Sequence, residues 1–272
     1  MQRQPLWFSV LSLVTLAFVA LVVGILPQPL QPVESLTGLP SLHQSAEAAL
    51  VPAVSQEQAT TDLTVPASHL LAQSAPNYTP REEIALADPS NYGERYLTDA
   101  YGRPIQHDFI IVIHETVGSA RSAINLFQTP HPRDADQVSY HSLISRDGTV
   151  IYIVPPEKRA YGAGNSVFQG PNGSETVVTN PNFPPSVNNF AYHVSLETPA
   201  DGRGNGRSHS GYTQAQYESL AWLLARTDIP DSRITTHRAV DRSGTRMDPR
   251  SFSAERFFSL LHRYPSRAGL AG

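Results

Sequence analysis

His114, His237 and Asp248 are the residues whose types and spacing bear most directly on chemistry. His114 closes the apolar run Phe109 to Ile113, and His237 closes the shorter run Ile234-Thr235-Thr236. Asp248 comes eleven positions after His237 and directly before Pro249, which stiffens the turn that presents it. A histidine at the C-terminal end of a strand stands where α/β sheets usually place their ligands. Two imidazoles and a carboxylate, with a fourth position left to water, make the open tetrahedral arrangement of catalytic zinc. Such a centre brings the pKa of water down toward about 7 and supplies hydroxide at neutral pH. Spacing alone leaves a second reading open, in which a strand-end histidine is a hydrogen-bonded structural residue. Two neighbouring patterns carry no chemistry. His114-Glu115 opens like the metalloprotease motif H-E-x-x-H, but Gly118 stands where the second histidine belongs, and the context is a strand. Gly202-Arg203-Gly204-Asn205-Gly206 has no strand before it and no helix at its third glycine, so it reads as a flexible loop.

The elements that must position these residues are legible as patterns. Phe109 to Ile113 is nearly continuous apolar sequence, as in a strand buried on both faces. Ser119 to Phe127 reads as a short helix stopped by Thr129-Pro130. Tyr140 to Ser145 and Thr149 to Val154 flank Arg146-Asp147-Gly148, a hairpin signal. Ala191 to Thr198 and Ile234 to Thr236 read as further strands. Thr213 and Gln216 form a capping box that opens a helix to Arg226, with Tyr217, Leu220, Ala221 and Leu224 at helical spacing. Ser253 to His262 closes the chain as a helix with Phe257, Leu260 and Leu261 on one side. Alternating strands and helices predict an α/β domain, a central mixed sheet flanked by helices. Residues 162–189, rich in Gly, Asn and Pro, read as a long surface loop beside the site.

Composition restricts the chemistry further. The chain has 272 residues and no cysteine, which excludes disulfides, thiolate-bound metal and thiol nucleophiles. Any metal must be held by His, Asp or Glu. A net charge of −4 offers no basic stripe, so no nucleic-acid partner is expected. Charge begins late: residues 1–80 hold one basic side chain, Arg3, and four acidic ones. Leu6 to Leu26 is an uncharged apolar run whose 21 positions make a helix of about 30 Å, enough to cross a bilayer. With Arg3 before it and no basic residue until Arg81, the bulk of the chain is expected outside the cytoplasm. The run is long for a cleaved signal peptide, which favours an uncleaved inner-membrane anchor over residues 1–26, with cleavage the alternative. Eight prolines among polar residues mark 27–80 as a linker, whose reach is about 40 Å. A single foldable domain is expected over 81–272, as a monomer on the periplasmic or envelope side.

Six segments in order resemble a known family. They are FIIVIHE (109–115), VSYHSLISRDG (138–148), NNFAYHVSLE (188–197), GYTQAQYESLAWL (211–223), THRAV (236–240) and RMDP (246–249). Together they look like the zinc-dependent N-acetylmuramoyl-L-alanine amidases, a group that includes phage amidase lysozymes, anhydro-muropeptide amidases and peptidoglycan recognition proteins. The resemblance spans residues 105–263. It implies one zinc per chain on His114, His237 and Asp248, the last being Asp in some branches and Cys in others. It implies a catalytic tyrosine at Tyr140, and it places Arg246 where several relatives carry lysine. A catalytic glutamate of one branch falls on Ser195, whereas Glu197 lies one strand repeat further along the same face. Glu197 is therefore a candidate replacement or an orienting residue. Tyr161-Gly162-Ala163-Gly164 stands where the family often has Trp-His-Ala-Gly, so an imidazole is missing at 162.

The activity so implied is hydrolysis of the amide between the lactyl group of N-acetylmuramic acid and L-alanine, in peptidoglycan or muropeptides. Tyr140 would hydrogen-bond the attacking water or the oxyanion, and Arg246 would add positive charge there. The bland readings are a packed strand aromatic for Tyr140, a surface ion pair for Arg246, and a structural histidine for His141. His193 and His209 have no convergent partner in the pattern. The alternative function is a non-catalytic peptidoglycan-binding module; a zinc hydrolase acting on another bond is a further one.

Overall fold

The computed structural model describes residues 76–271, which belong to one unit of the chain. The expected membrane segment and nearly all of the expected linker lie outside the described residues. No helix among the described residues is long and apolar enough to cross a membrane. In chain order the strands are β1 (Glu82–Ile84), β2 (Tyr92–Gly93), β3 (Ile110–Glu115), β4 (Ser142–Ile144), β5 (Val150–Tyr152), β6 (Arg159–Ala160), β7 (Phe168–Gly170), β8 (Gly173–Glu175), β9 (Ala191–Leu196) and β10 (Ile234–Thr236). The helices are α1 (Ala120–Gln128), α2 (Gln214–Leu224), α3 (His237–Val240) and α4 (Ala254–Leu261).

Six strands form the central sheet in the order β1-β5-β4-β9-β3-β10. Pairs β4/β9, β9/β3 and β3/β10 are parallel, while the β4/β5 hairpin is antiparallel. The sheet is mixed, as the alternating pattern predicts. Its hairpin turns at Gly148, whose φ of +89° suits a residue without a Cβ.

Alternation along β3 divides the core. Ile111 and Ile113 pack with Val194 and Leu196 against Tyr217, Leu220 and Leu224 of α2 and Phe257 and Leu261 of α4. Ile110 and Val112 face the other way, with Phe168, Val177, Val187 and Phe190. A neighbouring cluster joins Ala120, Ala123 and Phe127 of α1 to Leu143 and Ile151. His114 follows Ile113, so period two turns it away from α2 and α4.

The helix boundaries follow local chemistry. Ser119 accepts from the Ser122 N–H to open α1, and Thr213 and Gln216 complete the capping box of α2. Ser253 caps α4 by accepting from the Arg256 N–H.

Three expectations need correction. Residues 162–189 are not only a surface loop, because they carry the β7/β8 ribbon and bury Phe168, Val177 and Val187. The apolar residues there are single and separated by Gly, Pro and Asn, so no period announces them. The glycine-rich loop at 202–206 is tied down, since the Arg250 guanidinium donates to the carbonyls of Gly202, Gly204 and Gly206. Packing also begins before residue 81: the Tyr78 hydroxyl donates to the Ala215 carbonyl at 3.2 Å and meets Ser219 Oγ at 2.7 Å.

Candidate metal centre

His114 sits one residue inside the C-terminal end of β3, fully buried. β10 runs parallel beside it with Thr236 opposite Ile113. His237 therefore arrives one step further along the same edge, as the first residue of α3, where Thr236 caps the turn by accepting from the Ala239 N–H. Asp248 returns over this turn, and its carbonyl accepts the Arg238 N–H at 2.9 Å.

These three side chains converge. Their ligand atoms all lie within 4.8 Å of one another. His114 Nδ1 lies 3.3 Å and His237 Nδ1 3.1 Å from Asp248 carboxylate oxygens. A tetrahedron with bonds of about 2.0–2.1 Å has donor–donor edges of about 3.3–3.4 Å. The His114–Asp248 edge therefore already has the length that zinc demands, and the His237–Asp248 edge is about 0.2 Å shorter. His114 Nδ1 is buried beside the Asp248 carboxylate and makes no well-aligned hydrogen bond among the described residues. On chemistry and spacing, this donor set fits a zinc ion.

Electrostatics keep His114 and Asp248 in the forms a cation needs. Burial first, and then the charge of His237, bring the His114 pKa down to about 4, with Asp248 opposing. His114 is thus neutral at pH 7. Burial pushes the Asp248 carboxyl up, but hydrogen bonding and charge from His114 and His237 outweigh it and hold that group well below the usual carboxylate range.

Tyr140 stacks on the His114 ring, with centroids 4.5 Å apart, and meets Phe127 edge-on. Burial, and then the Asp248 charge, raise its pKa, so it remains a phenol with a proton to donate. Arg246 is exposed; its N–H donates to Asp241 Oδ2 at 3.1 Å. Its positive charge reaches the site, where it lowers the pKa values of both His114 and Tyr140.

Glu197 is not brought into this group. Its carboxylate accepts the Arg146 N–H at 2.9 Å, at the β4/β5 turn, and lines a cleft with Arg81, Glu83 and Asp147. Ser195 is the residue opposite His114 in the sheet register, buried and with no hydrogen-bond partner for its Oγ among the described residues. His141 is structural, as its pattern suggests: Nδ1 accepts the His193 N–H at 2.9 Å. Burial and the Arg95 charge depress its pKa to about 3.

Two partnerships escape the sequence pattern. His193 Nδ1 lies 2.9 Å from His114 Nε2. Its ring also explains the glycine at 162, since a Cβ there would meet His193 Cγ and Nδ1 at 2.6 Å. Glu115, on the opposite side of β3 from His114, is buried among Arg250 Nε, His209 Nε2 at 2.9 Å and the Tyr212 hydroxyl at 2.8 Å. Strand parity places His193 on one face with Ser195, but only the strand order reveals that His114 is its neighbour.

Comparisons with known proteins agree with the family that the sequence resembles. The N-acetylmuramoyl-L-alanine amidase family matches residues 102–251. The 1,6-anhydro-N-acetylmuramyl-L-alanine amidase AmpD of Citrobacter freundii is 35% identical over 129 residues, covering 46% of this chain and 58% of that protein. AmpD of Escherichia coli (strain K12) is 35% identical over 85 residues, covering 31% of this chain and 35% of that protein. The chain thus spans between a third and three-fifths of these relatives' length. Among solved structures, a selenomethionine derivative of AmpD superposes with a TM-score of 0.46 at 25% identity, covering 67% of this chain and 94% of the other.

Proposed function

The chain belongs to the N-acetylmuramoyl-L-alanine amidase family, and from that premise we propose that it hydrolyses the amide between N-acetylmuramic acid and L-alanine in peptidoglycan or muropeptides. The observation that carries this reading is the convergence of His237 and Asp248 with His114, which lies 123 residues before His237, so that their ligand atoms come within 4.8 Å of one another. His114 Nδ1, His237 Nδ1 and an Asp248 oxygen would hold zinc there. Zinc so held would supply a Lewis acid and a water of lowered pKa.

The remaining work falls to this chain's own groups. Tyr140, kept protonated by burial, donates its hydroxyl proton in a hydrogen bond to the oxygen that becomes negative as the amide carbonyl is attacked. Arg246 brings a fixed positive charge to the same side. Asp248 stays ionised, the form in which its oxygen can serve as a ligand. Glu197 is given no part in bond cleavage; its hydrogen bond to the Arg146 N–H supports a role in fixing the β4/β5 turn. The uncharged run from Leu6 to Leu26, preceded by Arg3, supports export and anchoring on the envelope side, where this substrate lies.

Digestion of purified sacculi and of soluble muropeptides with the full chain tests the proposal by mass spectrometry of the products. Stem peptides with a free L-alanine amine should appear, should vanish with chelator and should return with added zinc. Cleavage at any other bond, or none with zinc restored, would refute it.

A further inference from the structure

We propose that His193 is a positioning residue for His114: its Nδ1 accepts a hydrogen bond from the His114 Nε2–H and so leaves the Nδ1 lone pair of His114 free for a metal. This rests on the metal reading above. His114 has two ring nitrogens and two different surroundings. Nδ1 faces the Asp248 carboxylate at 3.3 Å, and Nε2 faces His193 Nδ1 at 2.9 Å. A neutral imidazole carries one proton, and where it sits decides which nitrogen serves as a ligand.

With the proton on Nδ1, His114 donates to Asp248 and has nothing to offer a cation. With the proton on Nε2, it needs an acceptor inside a fully buried pocket, and His193 Nδ1 is the partner found there. A buried N–H without an acceptor costs about 1–3 kcal/mol. Removing the acceptor therefore drives His114 toward the form that competes with metal. Polar partners of this kind typically change metal affinity by about 10–100-fold when mutated.

The surroundings hold the His193 ring in place, while its Nε2, which carries the ring's own proton when Nδ1 accepts, is buried with no hydrogen-bond partner among the described residues. β3 and β9 pair in parallel with Val112 opposite His193 and His114 opposite Ser195, so both rings emerge on the same face. The His193 N–H donates to His141 Nδ1 at 2.9 Å, and its carbonyl accepts the His141 N–H at 2.9 Å. The two rings stack 5.8 Å apart at 10°. On the remaining side the ring occupies the space in front of Gly162, where a Cβ would come within 2.6 Å. Position 162 must therefore be glycine for His193 to keep its place.

Zinc affinity of the full chain, measured by chelator competition, tests this with three variants, alongside the visible spectrum of the cobalt-loaded protein. His193→Phe fills the ring's space but accepts nothing; it is expected to weaken zinc binding by about 10–100-fold and to shift the cobalt bands. In His193→Asn, Oδ1 stands near the place of Nδ1, and most of the affinity should return. Gly162→Ala keeps the imidazole but displaces it, and should weaken binding as the phenylalanine does. Parental affinity and spectrum in both His193→Phe and Gly162→Ala would reduce His193 to a packing residue and overturn the proposal. So would equal losses in the Phe and Asn variants. Should His193→Phe fail to fold, the contrast between His193→Asn and Gly162→Ala decides in the same way. A parent chain that binds no zinc would instead refute the metal reading on which this stands.

Discussion

Tyr140 has the most exposed claim to chemistry, because nothing but its hydroxyl distinguishes it from a packing aromatic. Its ring rests on His114 and against Phe127, and phenylalanine would keep both contacts. Tyr140→Phe should therefore retain a full equivalent of zinc while kcat falls by about 10²–10³, or roughly 3–4 kcal/mol of transition-state stabilisation. Elemental analysis beside turnover on muropeptides separates the two; undiminished turnover would remove Tyr140 from the mechanism. Individual residues were readable in the sequence to the extent that an element ending announced them. His114 and His237 stand at the ends of apolar runs, and the proline after Asp248 marks its turn. His193 lies in the middle of such a run, where an imidazole looks like any buried polar residue. Glu197 shows the limit of parity: it shares a face with Ser195 in an ideal strand, yet β9 ends at Leu196 and its carboxylate turns to Arg146.

The segment that carries Asp248 has no regular secondary structure of its own and is held by an ionic lock. Arg250, two residues on, reaches Glu115 at the end of β3 and three carbonyls of the glycine-rich loop. One strand thus presents His114 on one face and anchors the Asp248 segment through Glu115 on the other. Both charged groups are almost completely buried. Arg250→Ala would leave Glu115 buried with only His209 and Tyr212 as partners and should lower the unfolding free energy by about 3–5 kcal/mol. Urea denaturation measures this, and a loss below about 1 kcal/mol would show that the lock does not hold. At this scale the strands and helices were legible because period two and period 3.6 fix their faces. The lock was not, since a glycine-rich stretch reveals flexibility and conceals the carbonyls that a distant arginine gathers.

The whole domain is a sheet whose two faces have different duties. One is sealed by α2 and α4 through an apolar cluster, and the other opens beside α1 and residues 162–189 around the histidines. Parallel strands bring His114 and His237 to neighbouring positions at one edge, so a crossover topology turns a separation of 123 residues into contact between rings 4.6 Å apart. That convergence is the claim from which the chemistry follows. Crystals of the full chain grown with zinc, and measured at the zinc absorption edge, test it most directly. The expected result is one anomalous peak per chain, bonded to His114 Nδ1, His237 Nδ1 and an Asp248 oxygen at about 2.0–2.2 Å, with one coordination position left to water. A peak elsewhere, or none at those three residues under saturating zinc, would contradict it.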